Sequence, residues 1–64
     1  MTYAEWNKLD NRFQDMLLKA YHAWRIGNES DGAEDKEIAK SLVDKHMSEA
    51  YTIRSKYINA KVEV

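Results

Sequence analysis

Trp6, Leu9, Phe13, Met16, Leu17, Ala20 and Trp24 recur at steps of three and four residues, a spacing that lines one side of a helix and that a strand alternation cannot produce. Thr2 precedes Glu5 by three residues, the capping-box spacing in which hydroxyl and carboxylate each satisfy a free backbone N–H, with Met1 and Trp6 placed as a hydrophobic staple. The pattern predicts a first helix over about residues 3–26, closed by Gly27 in the left-handed conformation, with Arg25 facing the negative end of the helix dipole. A second stripe holds Ala39, Leu42, Val43, His46, Met47, Ala50, Ile53, Tyr57 and Ile58, with Asp44, Ser48, Thr52, Ser55 and Asn59 opposite. It predicts a helix over about residues 32–61. The alternating end, residues 62–64, has no cap and is expected to fray.

A connection of about residues 27–31 is short enough to make the two helices an antiparallel hairpin. The stretch RIGNESDGAEDKE, residues 25–37, carries both glycines of the chain and five acids. Read as an EF-hand, it would place Gly32 at the obligatory sixth position, but Gly27 at the first ligand position and Ile38 at the twelfth, and neither side chain ligates a cation. A phosphate cradle needs a lysine entering the helix, and the acids here repel phosphate. The remaining reading is helix-start chemistry, with Ser30 or Asp31 as N-cap and Glu34 and Asp35 in the first turn. Glu29, Asp31, Glu34 and Asp35 also form an acidic tip that a basic partner would recognise.

The apolar arcs span about 140° on helix one and about 180° on helix two, wider than the roughly 100° that one neighbour covers. A single hairpin cannot bury both. The chain is therefore expected to be all-α, an antiparallel two-helix hairpin that dimerises into a four-helix bundle, with the alanines at 20, 23, 39 and 50 permitting close approach. Trp6, Phe13, Leu17, Trp24, Leu42, His46 and Ile53 are the expected dimer core. Leu18 lies off the stripe, either as a second contact edge or as an isolated exposed leucine.

Length and composition support that expectation. With 64 residues and no cysteine, residues 1–64 make one domain with about 3–5 kcal/mol of net stability, no disulfide, and no Cys/His set for a structural zinc. Self-association is the staple left. No apolar run reaches the roughly 18 residues of a membrane span, and the first ten residues lack the basic start and apolar stretch of a signal peptide. The chain reads as complete, soluble and cytoplasmic, without a membrane partner. Net charge is −1, so the overall field favours neither nucleic acid nor anionic lipid. Its distribution is uneven: residues 29–37 hold five acids against Lys36, and residues 38–61 hold five bases against Asp44 and Glu49.

No active site emerges. A nucleophile needs a base in reach and an orienting third group; the chain has two histidines, His22 on the polar face and His46 inside the apolar stripe as a core histidine. Catalytic residues, metal ligands and cofactors are expected to be absent. Lys36, Lys40, Arg54 and Lys61 fall along one flank of helix two, and Tyr51 and Tyr57 interleave with Arg54 and Lys56, residue types that pair phosphates and stack bases. In shape the expected hairpin resembles small plasmid-encoded RNA-binding hairpins that dimerise into four-helix bundles; no motif is shared, so the resemblance assigns no residue. Three functions follow as expectations. The first is a small dimeric interaction protein, a regulator or inhibitor of a larger protein partner, of a kind common in bacteria and phages. The second is an RNA or DNA binder using the basic flank. The third is a binder of a small anionic ligand between protomers, through Arg54, Lys61 and neighbouring tyrosines.

Overall fold

The computed structural model describes residues 1–63. Two helices, α1 (Tyr3–Glu29) and α2 (Ala33–Ser55), pack against each other as a hairpin. The direction is antiparallel, because Trp6 and Asp10 near the start of α1 meet Tyr57 just beyond α2, while Gly27 near the end of α1 meets Ala39 near the start of α2.

The N-terminus forms as its spacing predicts. Thr2 is the N-cap in extended conformation, and its Oγ1 accepts from the Glu5 N–H at 3.2 Å. The reciprocal contact differs from a full capping box: the Thr2 hydroxyl donates to the Glu5 carboxylate at 3.0 Å.

The other end of α1 departs from expectation. Gly27 does not close the helix; it lies within it, buried, with no positive φ, and α1 runs on to Glu29. A Cβ built on Gly27 would lie 2.8 Å from the Ala39 Cβ. The glycine serves close approach of α2, which needs the absence of a side chain and ordinary helical dihedrals. Ser30 closes α1 instead, its N–H reaching the Gly27 carbonyl at 3.4 Å and its Oγ donating to the Ile26 carbonyl at 2.9 Å. Gly32 occupies the N-cap of α2 without a side-chain bond, in place of the expected Ser30 or Asp31. Ser30 is already committed to α1. Glu34 and Asp35 do occupy the first turn of α2, where the dipole favours them.

The interior of the hairpin is built from small residues. Ala20, Ala23 and Gly27 on α1 face Ala39 and Ala50 on α2, and these five are the buried positions of the two helices. Short side chains let the axes approach, and the larger apolar side chains spread to the two flanks. Among the described residues, nine large apolar side chains are between 41% and 63% exposed, Trp24, Ile26 and Ile38 among them. The molecule is a rod of 50 × 14 × 10 Å, with a radius of gyration of 14.9 Å where a compact chain of this length would have about 11 Å.

Helix two ends at Ser55, six residues before the expected 61. Thr52 and Ser55 turn their hydroxyls onto the carbonyls of Ser48 and Thr52 at 2.9 and 2.8 Å, bonds that compete with the helical ladder. The backbone tightens to the bond from Lys56 N–H to the Ile53 carbonyl at 3.1 Å. This turn delivers Tyr57 into the base of the hairpin. The chain then returns to its beginning: Glu63 N–H donates to the Met1 carbonyl at 2.9 Å, Thr2 and Glu63 form a parallel bridge, and the Met1 ammonium donates to the Lys61 carbonyl at 3.2 Å. Of the end expected to fray, Glu63 is thus tied down, and Val64 lies outside the described residues.

His46 lies in the stripe at intermediate burial, with Nδ1 buried and in contact with no hydrogen-bonding group of the protein. An unpaired buried nitrogen costs about 1–3 kcal/mol. His46→Leu, similar in volume and without that nitrogen, is expected to keep the fold and raise the melting temperature by several degrees, about 4–8 °C per kcal/mol at this size. A lower melting temperature by circular dichroism would show that the imidazole contributes a favourable contact.

Candidate functional site

Because the seam between the helices is narrow, each flank of the hairpin carries a groove floored by alanine or glycine. On one flank Trp24, Gly27, Asn28, Lys36, Ala39, Lys40 and Val43 line a groove of about 260 Å³. An adjoining hollow of about 240 Å³ is lined by Leu17, Ala20, Tyr21, Trp24, Val43 and Met47. Trp24 and Val43 belong to both. Tyr21 and Trp24 stack with centroids 6.0 Å apart and are 52% and 54% exposed. Large aromatics stacked in the open beside lysines combine apolar area, low side-chain entropy and charge, the features of binding anchors.

Toward the base of the rod, Trp6, Asp10, Phe13, Arg54, Tyr57 and Ile58 surround a cleft of about 340 Å³. The Arg54 guanidinium lies 5.3 Å from the Phe13 ring centroid, a cation–π contact. Tyr57 is only 3% exposed, donates from Oη to Asp10 Oδ1 at 2.8 Å, and meets Trp6 edge to face at 5.6 Å. Gln14 donates to the other Asp10 oxygen at 2.9 Å. Burial, then the hydrogen bond to Asp10 and the negative charge of its carboxylate, push the Tyr57 hydroxyl up to about 12, against a smaller opposing pull from Arg54.

The opposite flank is aliphatic. Ala23, Ile26, Ser30, Asp35, Ile38, Ala39 and Leu42 line a groove of about 340 Å³, and Glu34, Glu37, Ile38, Ser41, Leu42 and Lys45 a shallower one of about 480 Å³. Ile38 and Leu42 stand between the two as a ridge.

The structure therefore divides the residues singled out from sequence. Lys36 and Lys40 share the aromatic groove, with Tyr51 exposed. Arg54 sits at the far end over Phe13. Lys61 lies beyond α2 and does not continue a helical row with the other three, and Tyr57, expected to present its ring to a partner, is buried in the hairpin. The expected dimer core is likewise split. Trp6, Phe13, Leu17 and Trp24 lie toward the aromatic flank, Leu42 lies on the aliphatic one, and His46 and Ile53 are at intermediate burial along α2. In the acidic tip Glu29 pairs with Arg25 at 3.1 Å, while Asp31, Glu34 and Asp35 are exposed.

Sequence reasoning passed over Asp10 and Gln14, which anchor Tyr57 from 47 residues away; no local pattern signals such a pair. It also omitted Ile26 and Ile38 from the candidates, although their apolar character beside the turn was visible. Among the described residues no three of His, Cys, Asp and Glu gather into a group that could hold a metal ion, and no helix is long and apolar enough to cross a membrane. Comparison with protein-family models, with curated proteins and with solved structures finds no match for this chain.

Proposed function

We propose that the protein is a small non-catalytic interaction protein of the cytoplasm, a dimer that regulates or inhibits a larger protein by occupying part of its surface with the aromatic flank. The observation that carries this reading is the placement of side-chain size. Alanine and glycine close the hairpin, while Tyr21, Trp24 and Tyr51 stand 52–59% exposed. A chain that needed only to fold would place its large aromatics inside. The accessible surface, 5093 Å², exceeds the roughly 4,250 Å² of a compact monomer of this mass by roughly 850 Å².

A nucleic-acid role draws less support, since Lys61 lies beyond α2, outside the helical row of Lys36, Lys40 and Arg54, and the Tyr57 ring that would stack on a base is buried. A small anionic ligand held between protomers would have Arg54 and Lys61 but not the buried Tyr57.

The test is affinity capture from the native cell, with and without nuclease, using the wild-type chain and a Tyr21→Ala/Trp24→Ala variant whose helix content is verified. The expected result is a stoichiometric protein partner that survives nuclease and is lost with the variant, because anchor aromatics at interfaces contribute about 2 kcal/mol or more each. Nucleic acid as the sole captured species, or a partner held equally by the variant, would overturn the assignment.

A further inference from the structure

We infer that a second copy of the chain docks on the aliphatic flank, antiparallel, along the α2 stripe Glu34, Ile38, Leu42 and Lys45, leaving the aromatic flank free. This inference rests on the dimer reading above and specifies its surface and direction.

Three observations carry it. The first is shape. Ile38 and Leu42, 54% and 41% exposed, form a ridge flanked by two grooves. A two-fold contact presents the same surface from both sides, and a ridge beside a groove is self-complementary in the way that packed helices are. The inner groove is floored by Ala23 and Ala39, so the partner's ridge can enter deeply.

The second is charge. Glu34 and Lys45 are eleven residues apart, about three helical turns, so they lie on one side of α2 with the ridge between them. Both line the outer groove, together with Glu37. A two-fold axis perpendicular to α2 near residue 40 brings Glu34 and Glu37 of one copy beside Lys45 of the other, twice per dimer. A parallel arrangement would set Glu34 on Glu34 and Lys45 on Lys45. The charges thus select the antiparallel direction.

The third is the contrast with the other flank. There Lys36 and Lys40 lie at the tip and Arg54 toward the base, beside an Asp10 carboxylate already bonded to Tyr57 and Gln14, so antiparallel self-docking would turn the two lysines toward Arg54. That flank is less complementary to its own copy than the aliphatic one. Ser41, small and beside the proposed axis, allows the two α2 helices to approach.

The experiment is sedimentation equilibrium of the wild type, of Glu34→Lys, of Lys45→Glu and of the double exchange, with helix content followed by circular dichroism. Each single exchange should raise the dimer dissociation constant roughly ten-fold, since two attractive pairs become repulsive, and the double exchange should restore it. Because the chain has no cysteine, Ser41→Cys supplies an independent readout. It should give a covalent dimer on mild oxidation, and Tyr51→Cys on the other flank should not. A wild type that stays monomeric at all concentrations defeats the dimer reading itself and leaves the aliphatic ridge for another protein. A dimer indifferent to the charge exchanges, and cross-linked through position 51 instead of 41, keeps the dimer and overturns this seam.

Discussion

Tyr57→Ala is expected to leave the chain largely unfolded at 25 °C, whereas Tyr57→Phe is expected to fold with about 1 kcal/mol less stability. Deleting a buried aromatic costs about 3–5 kcal/mol, the same size as the entire net stability of a domain this small. Tyr57 concentrates the contacts that lock the base of the hairpin: 3% exposed, edge-on to Trp6 at 5.6 Å, and bonded to Asp10 at 2.8 Å. Phenylalanine keeps the ring and loses only the hydroxyl, whose net worth is about 1 kcal/mol. Urea unfolding followed by circular dichroism separates the cases. A folded Tyr57→Ala protein would mean that the helical seam alone sustains the hairpin.

The same hydroxyl sets an alkaline limit. Its pKa is raised from 10.0 to about 12 in the fold. Below about pH 10 it is protonated in both states, and its contribution is fully present. Between about 10 and 12 the unfolded chain releases the proton and the folded chain retains it, so the unfolded state binds fewer protons and stability falls as pH rises. Tyr57→Phe should remove that component of the alkaline loss. An unchanged profile from pH 9 to 12 would place the ionisation elsewhere.

Gly27→Ala is expected to destabilise the hairpin by about 1–3 kcal/mol, although an isolated helix would gain close to 1 kcal/mol from the same change. The two terms oppose each other, and the geometry decides. The new methyl group would lie 2.8 Å from the Ala39 Cβ. Both atoms are fixed to helical backbone, so neither can swing aside and the helices must separate along the seam. Gly27→Ala/Ala39→Gly moves the methyl group across the same contact and should recover most of the loss, a coupling that a double-mutant cycle reads directly. A more stable Gly27→Ala protein would show that propensity prevails and that the seam is loose.

The fate of this glycine shows where sequence reading stops. A glycine beside polar residues after a helical stripe carries the local signature of a cap, and nothing nearby distinguishes it from a glycine that admits another helix. The distinction lies in Ala39, twelve residues on. Tyr57 is similar: its helical spacing placed it on the apolar face, but its partner Asp10 lies on the other helix, and no local pattern foretold that α2 ends at Ser55. The basic row broke for the same reason, because Lys61 belonged to it only while the helix continued.

What the chain alone determined is what depends on neighbours three or four positions away: two helices, the Thr2 cap, the acidic first turn of α2, a connection too short for anything but a hairpin, and the alanines at 20, 23, 39 and 50 that mark close approach. Helical periodicity and capping are local interactions, and they are written in consecutive residues. The tertiary structure decided which side of each helix the other one covers. That choice turned one broad apolar arc into a small-residue seam with an aromatic flank and an aliphatic flank, since helices that meet through alanine and glycine come too close to enclose tryptophan or isoleucine between them.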